Sequence, residues 1–164
     1  MKTSQSGGNG SSPTGPRVWL FPLAYGLHIA EEYSLHFPAW VEHVSGRRIS
    51  DPQFLLLNAI FWLLMVAAVA FIRARPSQVW LVVTLAAILG INAGLHLLGS
   101  AVTATYSPGA ITSLIFYIPL VVCAFRQALP RVSRGLAVRA VALGAVIHAG
   151  VMLLAANSSL IPSP

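Results

Sequence analysis

Acidic side chains are scarce in this chain: four Asp and Glu stand against ten Lys and Arg in 164 residues, and charged residues make up only 9% of the total. A soluble domain carries roughly a quarter charged residues. That class is therefore excluded, and with 56% of the sequence apolar an integral membrane protein is expected. The length permits one compact bundle and no second domain. Cysteine is almost absent. The single thiol, Cys123, forms no intrachain disulfide and does not report a redox compartment; inside an apolar stretch it reads as a small packing residue. No Gly-rich phosphate loop occurs, so nucleotide chemistry is not expected. Arg and aromatic residues do not interleave, so the net charge of +6 does not point to nucleic acid.

What is present is hydrocarbon-compatible helix. Residues 1–16 are rich in Gly, Ser and Pro and read as a disordered tail; residues 17–157 form one membrane domain, and 158–164 a short tail. Five apolar stretches follow one another, at roughly 18–36, 53–72, 78–98, 110–128 and 136–156. The expected fold is all-α: a polytopic transmembrane helix bundle of about five membrane segments with a short surface helix. The first stretch is the least uniform, and a buried or re-entrant first helix is the competing reading. A cleaved signal peptide fits poorly with Pro22 and Tyr25.

With five spans, Lys2, Arg17, Arg73, Arg75, Arg126, Arg131, Arg134 and Arg139 gather on one side, and only Arg47 and Arg48 on the other. The positive-inside bias then places the amino terminus in the cytoplasm, with a bacterial inner membrane as the expected location. Trp19 and Trp80 fall near the inner face and Trp40 near the outer face, as interfacial anchors should. Pro38 should redirect the chain after the first helix. Trp40, Val41 and Val44 then share one face of a short helix, which suggests a segment on the membrane surface.

The polar residues within the spans sort to the outer half. His28 lies about 15 Å from the inner face at 1.5 Å per residue, and Glu31 and Glu32 follow within a turn. Asn58, Asn92, His96 and His148 all map to the same outer half. Ionisable groups at that depth are costly and mark functional sites. His28 with Glu31 and Glu32 can bind a metal or hold an acid/base pair, against the plainer reading of a solvated helix end. His36, four residues after Glu32, either extends a ligand ladder or marks the interface. Asn92 and His96, also four apart, read as an orienting residue and a ligand; Gly90, Gly94 and Gly99 nearby would equally serve helix packing. Tyr106-Ser107-Pro108-Gly109 should form a type II turn that hangs Tyr106 over the site. Gly144, four residues before His148, leaves space for a facing helix or a substrate. His43 on the surface helix carries little functional signal.

His28-Ile-Ala-Glu31-Glu32, Asn92-Ala-Gly-Leu-His96 and Tyr106-Ser-Pro-Gly109, in that order, together with Phe37-Pro38-x-Trp40 and the late His148, resemble the HXXEE-motif membrane protein family over roughly residues 18–156. The resemblance implies enzymatic activity and supports the choice of residues without naming the chemistry.

The favoured function is a metal-dependent membrane hydrolase. His28, Glu32, His96 and His148 would hold a divalent metal, zinc before iron, with Glu31, Glu32 and Tyr106 as catalytic groups and His36, Asn58 and Asn92 in support. The partner would be a membrane lipid or another amphiphilic small molecule carrying an ester, amide or phosphate; a homo-oligomer is allowed. Three alternatives stand beside it. A di-iron lipid or isoprenoid oxidase or hydroxylase would use the same side chains. A metal-free isomerase or cyclase would use a buried, protonated Glu. A small proton-coupled transporter lacks the inverted repeat such proteins usually show.

Overall fold

The computed structural model describes residues 12–157, so the expectations for residues 1–11 and 158–164 lie outside the described residues. The described fold begins before the boundary expected at residue 17. Residues 12–15 make a turn in which Thr14 is buried, and the Thr14 carbonyl accepts from Arg73 Nη1 at 2.9 Å. A 3-10 turn at Pro16–Trp19 leads into α1 (Leu20–Ser34). Then follow α2 (Phe37–Ser45), α3 (Asp51–Ala74), α4 (Val79–Thr103), α5 (Ala110–Arg131) and α6 (Arg134–Ala156). No strand occurs among the described residues.

Four helices, α3, α4, α5 and α6, are long and apolar enough to cross a membrane. The architecture is that of a polytopic membrane bundle with a short amino-terminal helix. The expectation of about five membrane segments is corrected to four by this measure. The reason is local. His36 takes a left-handed conformation (φ 57°) and Pro38 follows it, so α1 stops at Ser34 after 15 residues. Such a helix rises about 22 Å, short of the roughly 30 Å hydrocarbon core. With its leading turn, α1 still runs antiparallel beside most of α3. Three contacts set that register: Thr14 with Arg73, the Pro22 carbonyl with Trp62 Nε1 at 2.9 Å, and Tyr25 Oη with Asn58 Oδ1 at 2.8 Å.

The centre of the bundle is α4. Half of its apolar window is buried, against 17–22% in the other three long helices. It packs chiefly on α6 and α5. Gly144 on α6 makes the first of these contacts close, since a Cβ there would lie 2.8 Å from Ala87 Cβ and 2.9 Å from the Thr84 carbonyl. The Thr84 hydroxyl bonds the Ala140 carbonyl at 3.1 Å at the same crossing. Phe21, Val69, Ile72, Val82, Val83 and Leu89 fill the adjoining core.

Helix ends are set by short polar devices. Ser50 and Gln53 form a reciprocal capping box at the start of α3. Ser133 Oγ accepts from Leu136 N at the start of α6. Gly46, at φ 70°, ends α2. The first third of α5 is wound as a π-helix over Ser113–Tyr117. Pro119 supplies the cause: it offers no N–H to the carbonyl four residues back, and its ring crowds that carbonyl, so the turn before it widens.

The short helix expected after Pro38 is α2, but its apolar face turns inward. Trp40, Val41 and Val44 line a cavity beneath it, and Trp40 Nε1 donates to Thr105 Oγ1 at 3.1 Å while the ring lies against Gly99. The helix thus roofs the end of the bundle at which α4 ends and α5 begins.

Candidate metal centre

His28 and Glu32 stand one turn apart on α1, a spacing that places both on the same face. The carboxy-terminal part of α4 brings His96 against them. Glu32 Oε1 lies 3.6 Å from His28 Nε2 and 3.2 Å from His96 Nε2. The three ligand atoms fall within 4.8 Å of one another, and all three residues are at least 95% buried. Two imidazole nitrogens and a carboxylate oxygen therefore converge on one buried point.

Each imidazole is oriented from behind. His28 Nδ1 meets Thr112 Oγ1 at 2.8 Å, and His96 Nδ1 meets Ser107 Oγ at 3.0 Å. The Thr112 hydroxyl proton is already given to the Gly109 carbonyl at 3.2 Å, so Thr112 accepts from His28 Nδ1–H. In neutral His28 the lone pair is then on Nε2, aimed toward Glu32. His28 Nε2 is buried and has no hydrogen-bond partner among the described residues. A buried lone pair facing a carboxylate oxygen is unfavourable unless a cation sits between them or Nε2 takes a proton. Donor type, spacing and burial all fit a divalent ion with nitrogen and oxygen ligands.

Gly109 closes the centre from the loop side. Its φ is +101°, and a Cβ there would lie 2.7 Å from His28 Cε1 and 2.8 Å from His96 Cε1. Only glycine lets the backbone approach both rings. Tyr117 packs against His28 from the α5 side, ring centroids 4.6 Å apart and tilted by 31°; it is fully buried, with its hydroxyl unpartnered among the described residues.

Glu31 does something else. Its Oε1 accepts from Gly109 N at 2.9 Å and Ile111 N at 3.2 Å, and its Oε2 from Thr112 N at 2.7 Å. The Tyr106 phenol donates to the same carboxylate. A carboxylate from α1 thereby caps α5, where free N–H groups and the helix dipole both favour negative charge. Glu31 and Tyr106, both expected to be catalytic, are engaged with each other and with the α5 amino terminus. Partial burial and the Glu31 carboxylate push the Tyr106 phenol up to about 12.

The other expected site residues separate into near and far. His148 is buried and lines the same cavity as His96 and Ser107, but it stands outside the three-residue group. Asn92 does not orient His96; its Oδ1 is buried without a partner among the described residues, and Ser107 holds the imidazole instead. Asn58 receives the Tyr25 hydroxyl and donates to the Phe54 carbonyl at 3.0 Å, which makes it a fastener between α1 and α3. His36 is exposed at the turn between α1 and α2 and does not join the cluster, because its left-handed backbone carries it off the α1 face. The reading of residues alone missed Thr112 and Tyr117. A cue existed in Pro119, since π-turns gather at functional sites.

Two cavities adjoin the centre, and a third lies beyond His148. One of about 430 Å³ lies under α2 and reaches His96, Ser107, Arg47 and His148. A smaller one of about 110 Å³ reaches Glu32 and shares Phe37, Ile49, Met152 and Ala155 with the first. A third of about 470 Å³ lies among α3, α4 and α6, and His148 borders it as well.

A family model described as "Protein of unknown function with HXXEE motif" matches residues 19–124, more than half of the chain. The chain belongs to this family. No curated protein and no solved structure matches it. In this HXXEE protein the motif is divided in space: its His and second Glu face His96, while its first Glu holds the start of α5. His148 lies beyond the matched residues.

Proposed function

We propose that this HXXEE protein is a metal-dependent membrane hydrolase acting on an amphiphile. The observation that carries the reading is the buried convergence of His28 Nε2, His96 Nε2 and Glu32 Oε1 with the imidazoles held by Thr112 and Ser107. Two nitrogens and one oxygen leave a position for water, and zinc is the favoured ion for such a donor set. A bound ion would polarise the scissile group and make water acidic enough to attack near neutral pH. Glu32 would share its carboxylate between ligation and proton acceptance. His148, on the cavity wall beside His96, would take or return a proton at the leaving group. Glu31 and Tyr106 act as positioning residues, holding Gly109 and Thr112 where the imidazoles need them.

The substrate would carry an ester, amide or phosphate on an apolar body, because the cavities beside the centre open among membrane helices. Arg73, Arg75, Arg131 and Arg134 gather at the α3–α4 and α5–α6 connections, and Thr14 lies against Arg73. The positive-inside bias then favours a cytoplasmic amino-terminal end and a site toward the outer face of a bacterial inner membrane. A two-iron oxidase is less well supported, since Glu31 is spent on the α5 amino terminus and one free carboxylate remains. The metal-free acid/base reading keeps one point in its favour, the unpartnered Tyr117 hydroxyl beside His28.

The test is metal content. Protein purified in mild detergent without chelator should carry about one zinc per chain by mass spectrometry, and His28→Ala and Glu32→Gln should lose it with helicity intact. Two irons per chain would move the reading to oxidation. No metal after loading with zinc, iron or manganese would leave the acid/base reading.

A further inference from the structure

Two cavities near the centre, both largely apolar, share one lining residue. The 430 Å³ chamber under α2 has Arg47 at its rim and His96 and Ser107 within it. The 470 Å³ groove among α3, α4 and α6 is lined by Met65, Leu85, Leu143 and Ile147, with Tyr25, Thr84 and His148 as its polar side chains. His148 borders both. Each volume lies in the range of small-molecule sites, roughly 300–1,000 Å³.

We propose that chamber and groove form one binding site for a single-chain anionic amphiphile, its hydrocarbon in the groove and its acidic head group in the chamber beside Arg47 and His96. This deepens the reading of the site as one that takes an amphiphile. The groove lies between three helices with the composition of membrane spans, so what reaches it laterally is hydrocarbon. The charge at the chamber fixes the sign of the head group. Arg48 is paired with Glu42 at 2.5 Å, and Arg47 faces the chamber, so the rim carries a cation. Glu32 opens on the smaller adjoining cavity, its carboxylate turned to His28 and His96. One groove adjoins the chamber at His148, and one hydrocarbon chain occupies it. A head group seated beside His96 would put its first polar bond next to the candidate metal centre.

The experiment measures binding of palmitate, hexadecanol and octanoate to the full chain in detergent by native mass spectrometry, with metal content read on the same samples. One palmitate per chain is expected, bound more tightly than hexadecanol. Arg47→Gln should erase that preference. Ile147→Trp should fill the groove and weaken palmitate by roughly fourfold for each methylene displaced, leaving octanoate little changed. Ile147→Ala, which only enlarges the groove, should shift preference to longer chains and covers the case in which the tryptophan variant fails to fold. Equal binding of palmitate and hexadecanol, or chain-length preference indifferent to both Ile147 variants, would overturn the proposal. So would a stable dimer whose cross-links run through Leu143, because a second copy would then cover the groove. Bound metal without bound amphiphile would sink this inference alone; bound amphiphile without metal would sink the metal reading alone.

Discussion

Gly109→Ala tests the geometry of the centre most directly. The added Cβ would stand 2.7 Å from His28 Cε1 and 2.8 Å from His96 Cε1. Non-bonded carbons settle near 3.5 Å or beyond, so the rings or the loop must give by about 0.7–0.8 Å. Metal–ligand distances tolerate only about 0.2 Å, and neither ring can retreat freely. His28 is packed against Tyr117 and tied to Thr112, and His96 is tied to Ser107. A second cost comes from the backbone, because φ of +101° is strained for any L-residue by about 1–3 kcal/mol. Gly46→Ala separates the two effects. Its φ is also positive, at +70°, but nothing lies within 4 Å of the added Cβ. We expect Gly46→Ala to lower thermal stability with metal affinity unchanged, and Gly109→Ala to weaken metal binding by about 10–100-fold as well. Cobalt substitution reports both affinity and ligand field by absorption. Wild-type affinity and spectrum in folded Gly109→Ala protein would refute the idea that this glycine sets the ligand distances.

Glu31→Gln and Glu32→Gln should part company although the residues are adjacent. The first removes a charged cap and should cost about 1.5–3 kcal/mol in stability with metal retained, whereas the second should abolish metal binding; calorimetry and metal analysis on both variants decide, and loss of metal from both with helicity intact would place Glu31 in the ligand set. Gly144→Val should wedge α4 from α6 and destabilise by about 1–3 kcal/mol, read as a lowered Tm; an unchanged Tm would mean the crossing is looser than its 2.8 Å approach implies. Tyr106 supplies a pH test. Its folded value of about 12 lies above the ordinary 10, so the neutral phenol is favoured by folding. Its contribution is complete below pH 10 and fades as pH rises toward 12. The stability difference between wild type and Tyr106→Phe should therefore be flat from pH 6 to 9 and shrink in stronger alkali; a difference that grows with pH contradicts the phenol–carboxylate bond.

The membrane class, the four long helices and the pair His28 and Glu32 were legible in the sequence, because each depends on neighbours along the chain. Apolar length makes a span, and a spacing of four places two side chains on one helix face. Less could be read of α1. Its length was visible only after His36 was seen to take a left-handed turn, and its place beside α3 rests on contacts between residues some 40–60 positions apart, such as Pro22 with Trp62 and Thr14 with Arg73.

The tertiary structure decided which of two adjacent glutamates faces the histidines. Consecutive residues point about 100° apart around a helix. Glu32 was therefore free to meet His96 only because Glu31 was turned to the start of α5, and nothing local to α1 distinguishes the two. The same is true of the hydroxyls that hold the imidazoles. Ser107 and Thr112 look like ordinary loop and helix residues until packing sets them 3.0 and 2.8 Å from His96 and His28. The sequence determined that polar groups would collect in one half of the bundle, since hydrocarbon penalises them elsewhere. Only the packing of α1, α4 and α5 determined which atoms meet.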